Sequence, residues 1–402
     1  MNNEKWKQAM LLVSGIGFSN LGNWIYFVAI NISILDLTGS AAAVAGLFVI
    51  RPIAMLLTNV WAGSLIDRSN IRRLMIFVDL VRGLLILLIP LLSSLWMIYG
   101  IMLIISIFGS FFGPSSSVYI TKLIPEENRQ RFYSILSMAN SGAFLLGPAV
   151  SGVLIMTIGT DFCILFNAAS FICCAFFIFL LPDVNEESPD IRKPISMTLF
   201  IEDWKAVSQF VKQAAYFVSV FVFFQCAMLI GYAIDSQEAT FIKLNLHLTE
   251  SDYGNIISLT GAGSLAGSFL AAFISKKISY RWFMSIGALL STLFYITFYS
   301  SFNFVTAAVS FVLLGFFMAF ASSGYATFFQ KYVPISIMGR FASLSDVTQG
   351  IIQILLTLLV GLLSDMISLQ LVCLIFSGLA FILCLFLCTK VFSASKSGSL
   401  SL

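Results

Sequence analysis

Polar and apolar positions alternate along this chain on the scale of whole helices. Long apolar runs fall near residues 8–35, 41–66, 74–93, 95–121, 133–157, 161–181, 213–242, 252–275, 281–299, 303–330, 340–364 and 368–391. A helix needs about 20 apolar residues to cross a bilayer, whereas membrane strands would show ~10-residue alternating segments. The runs are continuous, so the pattern predicts an all-α membrane protein of twelve transmembrane helices. An even number places both termini on one side. With that side inside, 19 of the 22 Lys and Arg residues fall in cytoplasmic segments. Arg51 and Arg82 then lie within the membrane and Lys243 outside it, so the excess of inner positive charge sets both termini in the cytoplasm.

One long polar stretch interrupts the pattern. Residues 182–212 carry Pro182, Pro189 and Pro194 and end in a segment with Ile201, Trp204, Val207, Phe210 and Val211 on one helical face. It is expected to begin as a cytoplasmic linker and end as a helix on the inner surface. It divides the chain into a six-helix bundle over 1–181 and a second over 213–402. The halves also repeat. Lys122, Pro125, Arg131, Phe132, Ser134 and Gly152 match Lys331, Pro334, Arg340, Phe341, Ser343 and Gly361 at a single offset of 209, which Arg72 and Arg281 share. Parallel six-helix repeats around a central loop are the arrangement of a secondary transporter whose site lies between the halves.

Composition narrows the chemistry. The 402 residues are 59% hydrophobic and 10% charged, against about 25% charged in soluble domains. A net charge of +3 argues against nucleic acid as a partner. The seven cysteines all sit in apolar runs without metal-ligand spacing, and His247 is the only histidine. No nucleophile–base pair or metal cluster supports an enzyme, and no cofactor is expected beyond a proton gradient as energy source. The absence of a Gly-rich Lys loop argues against a self-contained ATP-driven pump. The first apolar run is too long for a cleavable signal peptide.

The segment Gly63-Ser-Leu-Ile-Asp67-Arg68-Ser-Asn-Ile-Arg72-Arg73 resembles the loop signature of the major facilitator superfamily. Gly147-Pro148-Ala-Val-Ser151-Gly152 is similar to the helix-5 motif of its antiporters, with Ser151 where that pattern usually has Gly. Leu37-Thr38-Gly39-Ser40, Val78-Asp79-Leu80 and Gly339-Arg340-Phe341-Ala-Ser343-Leu344 resemble the drug–proton antiporter branch holding macrolide efflux proteins and the enterobactin exporter. The resemblance implies the major facilitator fold. It implies a conformational latch from Gly63, Asp67, Arg68, Arg72 and Arg73, in which the start of helix 11 and Arg131 or Arg340 are the partners of Asp67. It also implies a helix-5 hinge at Gly147, Pro148 and Gly152.

Charges inside a membrane cost ~2.5–3.5 kcal/mol each on insertion scales and are functional candidates by default. Asp79, Asp235, Glu238 and Asp346 are candidates for proton coupling. Asp79 and Arg82 stand one turn apart, so a purely structural pair is an equal reading. Asn20, Asn23, Trp24, Phe27 and Asn31 form a polar–aromatic stripe on helix 1, which lines the cavity in this superfamily. With Arg51, Arg82, Asn140, Gln225 and Gln349 they are candidates to touch substrate; interhelical hydrogen bonding is the alternative. The expectation is a monomeric, multi-pass protein of a bacterial cytoplasmic (plasma) membrane. It exports amphipathic small molecules such as macrolides against protons, amid membrane lipid. The alternatives are a siderophore or natural-product exporter, a lysolipid mover or, least favoured, a membrane sensor.

Overall fold

The structure is a computed structural model describing residues 3–58, 62, 65–66, 69–184, 207–274 and 277–396. Among these residues the long helices are α1 (Asn3–Thr38), α2 (Ala41–Thr58), α3 (Ile71–Ile86), α4 (Leu95–Leu123), α5 (Glu126–Thr157) and α6 (Thr160–Phe179). They continue with α7 (Ala215–Asp235), α8 (Glu250–Ile274), α9 (Tyr280–Tyr299), α10 (Phe304–Tyr332), α11 (Ile335–Leu363) and α12 (Leu369–Lys396). Among the described residues, eleven stretches are long and apolar enough to cross a membrane. The last of them, Ile337–Ser393, runs through α11, a π-helical turn at Ser364–Ser368 and α12.

The repeat extends well beyond the residues that first betray it. Helices α2 to α6 begin at 41, 71, 95, 126 and 160, and α8 to α12 begin at 250, 280, 304, 335 and 369. Each pair differs by 209. One chemical cause is visible at the α4–α5 and α10–α11 corners. A residue before proline is pushed out of the helical region, and Ile124 (φ −102°, ψ 121°) and Val333 (φ −91°, ψ 119°) are extended. Pro125 and Pro334, both with φ −57°, then open the next helix, where a missing N–H costs nothing.

Contacts divide the chain into two compact units, residues 1–193 with 249–258 and residues 194–248 with 259–402. In the first, α1 packs on α6 and α5, α3 on α6 and α4, and α2 on α4. Its core joins Leu12, Met75, Tyr119, Phe132 and Ile178, and the buried Tyr119 hydroxyl donates to the Pro182 carbonyl at 2.7 Å. In the second, α9 packs on α10 and α12, and α7 on α12 and α11. Its core is aromatic: Phe217 lies 5.4 Å from both Phe328 and Phe341, ring centre to ring centre. Trp96 and Phe302 are 78% and 77% exposed at helix starts, tolerable where amphipathic or apolar rings meet a membrane interface.

Several boundaries differ from the sequence expectation. α5 and α11 begin at Glu126 and Ile335, so Arg131 belongs to a helical turn rather than to the preceding loop, and Arg340, expected as the first residue of its helix, lies five residues inside α11; polar residues extend a helix freely once proline has started it. α7 stops at Asp235, and Glu238 opens a separate three-residue turn, Glu238–Thr240, followed by a π turn at Phe241–Asn245. Of the expected surface helix, Ile201 and Trp204 lie outside the described residues. Residues 207–213 are helical, but Val207 is 8% exposed and Phe210 packs on the aromatic core. The ring of Phe210 meets Phe217 at 5.5 Å. Val207 and Phe210 are thus buried against protein, while Val211 is exposed.

Candidate translocation site

Asp79 is fully buried on α3 and its Oδ1 accepts from Arg82 Nη1 at 3.4 Å. That is looser than the 2.7–2.9 Å of a strong charge-assisted bond. The Arg82 guanidinium carbon sits 3.8 Å from the centre of the Phe171 ring on α6, and the Cys174 thiol lies beside Asp79. Asp79 Oδ2, Arg82 Nε and the Tyr26 hydroxyl are buried with no hydrogen-bond partner. Arg51, exposed on α2, is within electrostatic reach of Arg82. The pair expected from the sequence exists, but leaves donors and an acceptor unused.

In the second unit Asp235 is the last residue of α7, and its Oδ1 accepts from the Tyr295 hydroxyl on α9 at 2.5 Å. Glu238, just beyond the helix, is hydrogen-bonded to the same carboxylate. Burial, and next the adjacent Asp235 charge, push the Glu238 pKa well above its ordinary value. Two carboxyls in contact cannot both ionise cheaply, which favours a proton shared by the pair. The neighbouring Tyr299 hydroxyl donates to the Ile234 carbonyl at 2.6 Å, and Gln370 Nε2 donates to the Tyr299 carbonyl at 2.9 Å. These bonds pin the end of α7 to α9 and α12. Asp346 stands apart and exposed on α11, within electrostatic reach of Tyr325.

The stripe on α1 is only partly turned to open space. Asn20 Nδ2 donates to Asn140 Oδ1 on α5 at 2.6 Å, an interhelical bond of the kind that competes with a substrate contact. The Trp24 ring packs 4.5 Å from Phe144 and 5.6 Å from Phe27. Asn31 is 1% exposed and its amide donates to the Phe27 carbonyl at 2.7 Å, so it does not face a cavity. Asn23 is half-buried.

Among the described residues, each unit holds a cavity. About 680 Å³ lies between α1 and α5, against Val13, Gly17, Leu21, Ala139 and Ala143. About 380 Å³ lies between α7 and α11, where Gln225, Ser345, Thr348 and Gln349 add polar groups to an apolar wall. Val13, Gly17, Ala139 and Ala143 of the first match Val222, Cys226, Thr348 and Ile352 of the second at the 209 offset. Both volumes lie in the range of small-molecule sites, roughly 300–1,000 Å³. Gln225 Nε2 donates to the Tyr325 hydroxyl at 3.0 Å, and Tyr325 stacks on Phe224 with centroids 4.5 Å apart.

The helix-5 motif is a close-contact site. A methyl group on Gly147 would stand 2.5 Å from Trp24 Cβ, and one on Gly152 would stand 2.8 Å from Ser251 Cα within the same unit. Ser151, the departure from the antiporter pattern, donates its hydroxyl to the Ile25 carbonyl at 2.8 Å. Pro148 lies inside α5, where membrane helices tolerate the lost hydrogen bond.

Of the latch, Gly63, Asp67 and Arg68 lie outside the described residues. Arg72 is committed to the C-terminus of α6, donating to the Ile178 carbonyl at 3.3 Å and to the Phe179 carbonyl; helix ends leave such carbonyls open. Asn70 caps the amide of Arg73 at 3.0 Å and its own amide donates to Asp183 at 2.7 Å. Arg131 lies 4.5 Å from the centre of the Trp6 ring, and Arg340 is engaged in an interaction of its own. The sequence reading missed Tyr26, Phe171, Tyr295 and Tyr325. Each is an aromatic among 40 Phe, 12 Tyr and 6 Trp, and only the charges they meet in space distinguish them.

Two helical units in one register, exposed apolar helix faces and membrane-embedded charges define a multi-pass membrane transporter. The Major Facilitator Superfamily model matches residues 12–240 and again 226–399, and the chain belongs to that superfamily. It is 25% identical to the uncharacterized MFS-type transporter YfiS of Bacillus subtilis (strain 168) over 288 residues, 71% of this chain and 68% of YfiS. It is 24% identical to the multidrug resistance protein MdtH of Shigella flexneri over 201 residues, 49% of this chain and 50% of MdtH. A bacterial homologue of the human lysosomal transporter Spinster superposes with a TM-score of 0.76 at 14% identity, covering 98% of both chains. The nucleoside transporter NupG does so at 0.70 and 15% identity, covering 97% of this chain and 99% of NupG. At such identities the structural likeness speaks for the fold alone.

Proposed function

We propose that this transporter is a proton-coupled exporter of amphipathic small molecules working by alternating access. Its twelve helices would cross a bacterial cytoplasmic membrane with both termini inside, and it would act as a monomer. The observation that carries the reading is the Asp235–Glu238–Tyr295 group. Two touching carboxyls and a phenol at the end of α7 hold one exchangeable proton, and a shift of α9 against α7 would change how tightly they hold it. The partial likeness to MdtH, a multidrug resistance protein, supports export of varied compounds. The helix-5 motif and the loop after α2 support a conformational cycle, with Asp67 and its neighbours as the latch and Gly147, Pro148 and Gly152 as the hinge.

The test is proton flux in sealed proteoliposomes under an imposed pH gradient, with macrolides, lipophilic cations, siderophores and lysolipids as challenges. Substrate-triggered proton movement in the wild type, lost in Asp235→Asn while substrate exchange persists, is the expected result. Asp79→Asn and Asp346→Asn, run alongside, identify the carrier of the proton should it lie elsewhere. If all three variants still concentrate substrate against its gradient, the coupling assignment fails. A second reading, export of an anionic natural product or lysolipid, is favoured by the excess of positive charge around Asp79.

A further inference from the structure

Among the described residues, the nest around Arg82 draws on five elements of the first unit. α1 brings Tyr26, α2 Arg51, α3 Asp79 and Arg82, and α6 Phe171, while a Cβ at Gly109 of α4 would sit 3.5 Å from Arg82 Nε. Counting formal charges, two arginines face one carboxylate. The guanidinium has five N–H donors. One is given to Asp79 at 3.4 Å, while Nε is buried and unused. The Phe171 face beneath it fixes its plane, and the buried Tyr26 hydroxyl in its field also lacks a partner. A guanidinium so held has donors to spare, and its planar fork is the geometry that matches a carboxylate or phosphate. In the second unit the opposite holds, because Asp235, Glu238 and Tyr295 satisfy one another.

We propose that Arg82, Arg51 and Tyr26 form an anion-binding subsite for the carboxylate or phosphate head group of an amphiphile, with Asp79 as the built-in competitor that holds Arg82 when the subsite is empty. The inference rests on the transporter reading only in calling that amphiphile a substrate. It names the substrate class as anionic or zwitterionic, and gives Asp79 a sign: removing its charge frees Arg82 and strengthens binding. A pair that served packing alone would behave in the opposite way.

The test uses the full chain in phosphatidylcholine nanodiscs with radiolabelled dodecanoate, read by scintillation proximity. Competitors are dodecyl phosphate, dodecyltrimethylammonium and inorganic phosphate. A parallel set of nanodiscs contains phosphatidylglycerol. Dodecyl phosphate is expected to displace the label and dodecyltrimethylammonium to leave it in place. Displacement by inorganic phosphate supports a site that takes free anions, and competition from phosphatidylglycerol supports one that takes lipid head groups. Arg51→Gln, on an exposed side chain, should weaken binding about tenfold, the factor that 1.4 kcal/mol carries. Asp79→Asn should tighten it by a similar factor, and thermal melts confirm that both variants are folded. Equal binding in Arg51→Gln, weaker binding in a folded Asp79→Asn, or displacement by the cation overturns the subsite. Dodecanoate that binds yet is never moved refutes the transport reading and leaves the subsite standing. Proton-coupled export of lipophilic cations without dodecanoate binding does the reverse.

Discussion

The packing of α9 on α10 can be probed with a single methyl group. These helices meet through glycines without room for a side chain. A Cβ on Gly287 would stand 2.5 Å from the Ala321 backbone nitrogen, and one on Gly324 would press in the same way on the backbone nitrogen of Met284. Ordinary contact begins at 3.4 Å, so Gly287→Ala demands a shift of about 0.9 Å, and the obstacle is backbone rather than a flexible side-chain tip. Overpacking of this kind costs about 1–3 kcal/mol. Against it stands the gain in helix propensity, about 0.8–1.0 kcal/mol for Gly to Ala. Gly378→Ala on α12 is the matched control, since nothing lies within 4 Å of its Cβ and only the gain remains. The two variants should therefore differ by about 1–3 kcal/mol, or roughly 2–12 °C in melting temperature for a unit of this size. Differential scanning fluorimetry in one detergent measures it, with Gly287→Ala melting lower and Gly378→Ala at or above wild type. Equal melting temperatures would show that the helices do not approach this closely.

Three further outcomes are expected. Glu238 has a raised pKa when folded, so the native state binds more protons than the unfolded chain above the ordinary value near 4.5; stability is fully present below that value and falls as pH rises through the folded pKa. A pH series of melts should slope downward in the wild type and flatten in Glu238→Gln; matching slopes would remove Glu238 as the cause. Arg72→Met removes two donors from the end of α6 and should cost about 1–3 kcal/mol, seen as faster hydrogen exchange at residues 176–181, whereas unchanged exchange would mean that water serves those carbonyls as well. Asp67→Asn should leave the melting temperature intact yet cut transport in proteoliposomes, and wild-type efflux from it would dismiss the latch.

Much of this architecture is written in local chemistry. Apolar runs near 20 residues point to membrane helices, and the matched prolines 125 and 334 announce a repeat whose register of 209 the structure then carries through five helices per half. Asp79 and Arg82 were legible as a pair because three residues bring two side chains to one helix face. Helix ends were less legible. Arg131 and Arg340 fall inside α5 and α11 because the corners at Pro125 and Pro334, not hydropathy, start these helices.

The class, the repeat and the charges that must be explained are already readable from residue order, since the bilayer penalises each exposed charge or unpaired backbone group wherever it occurs. Which side chains meet is set by the packing of the helices. Tyr295 lies 60 residues from Asp235, and Phe171 comes to Arg82 from another helix. The cavities at α1–α5 and α7–α11 arise where side chains on separate helices leave space between them. Such meetings depend on how helices rotate and cross, a property of the packed whole that no single segment encodes.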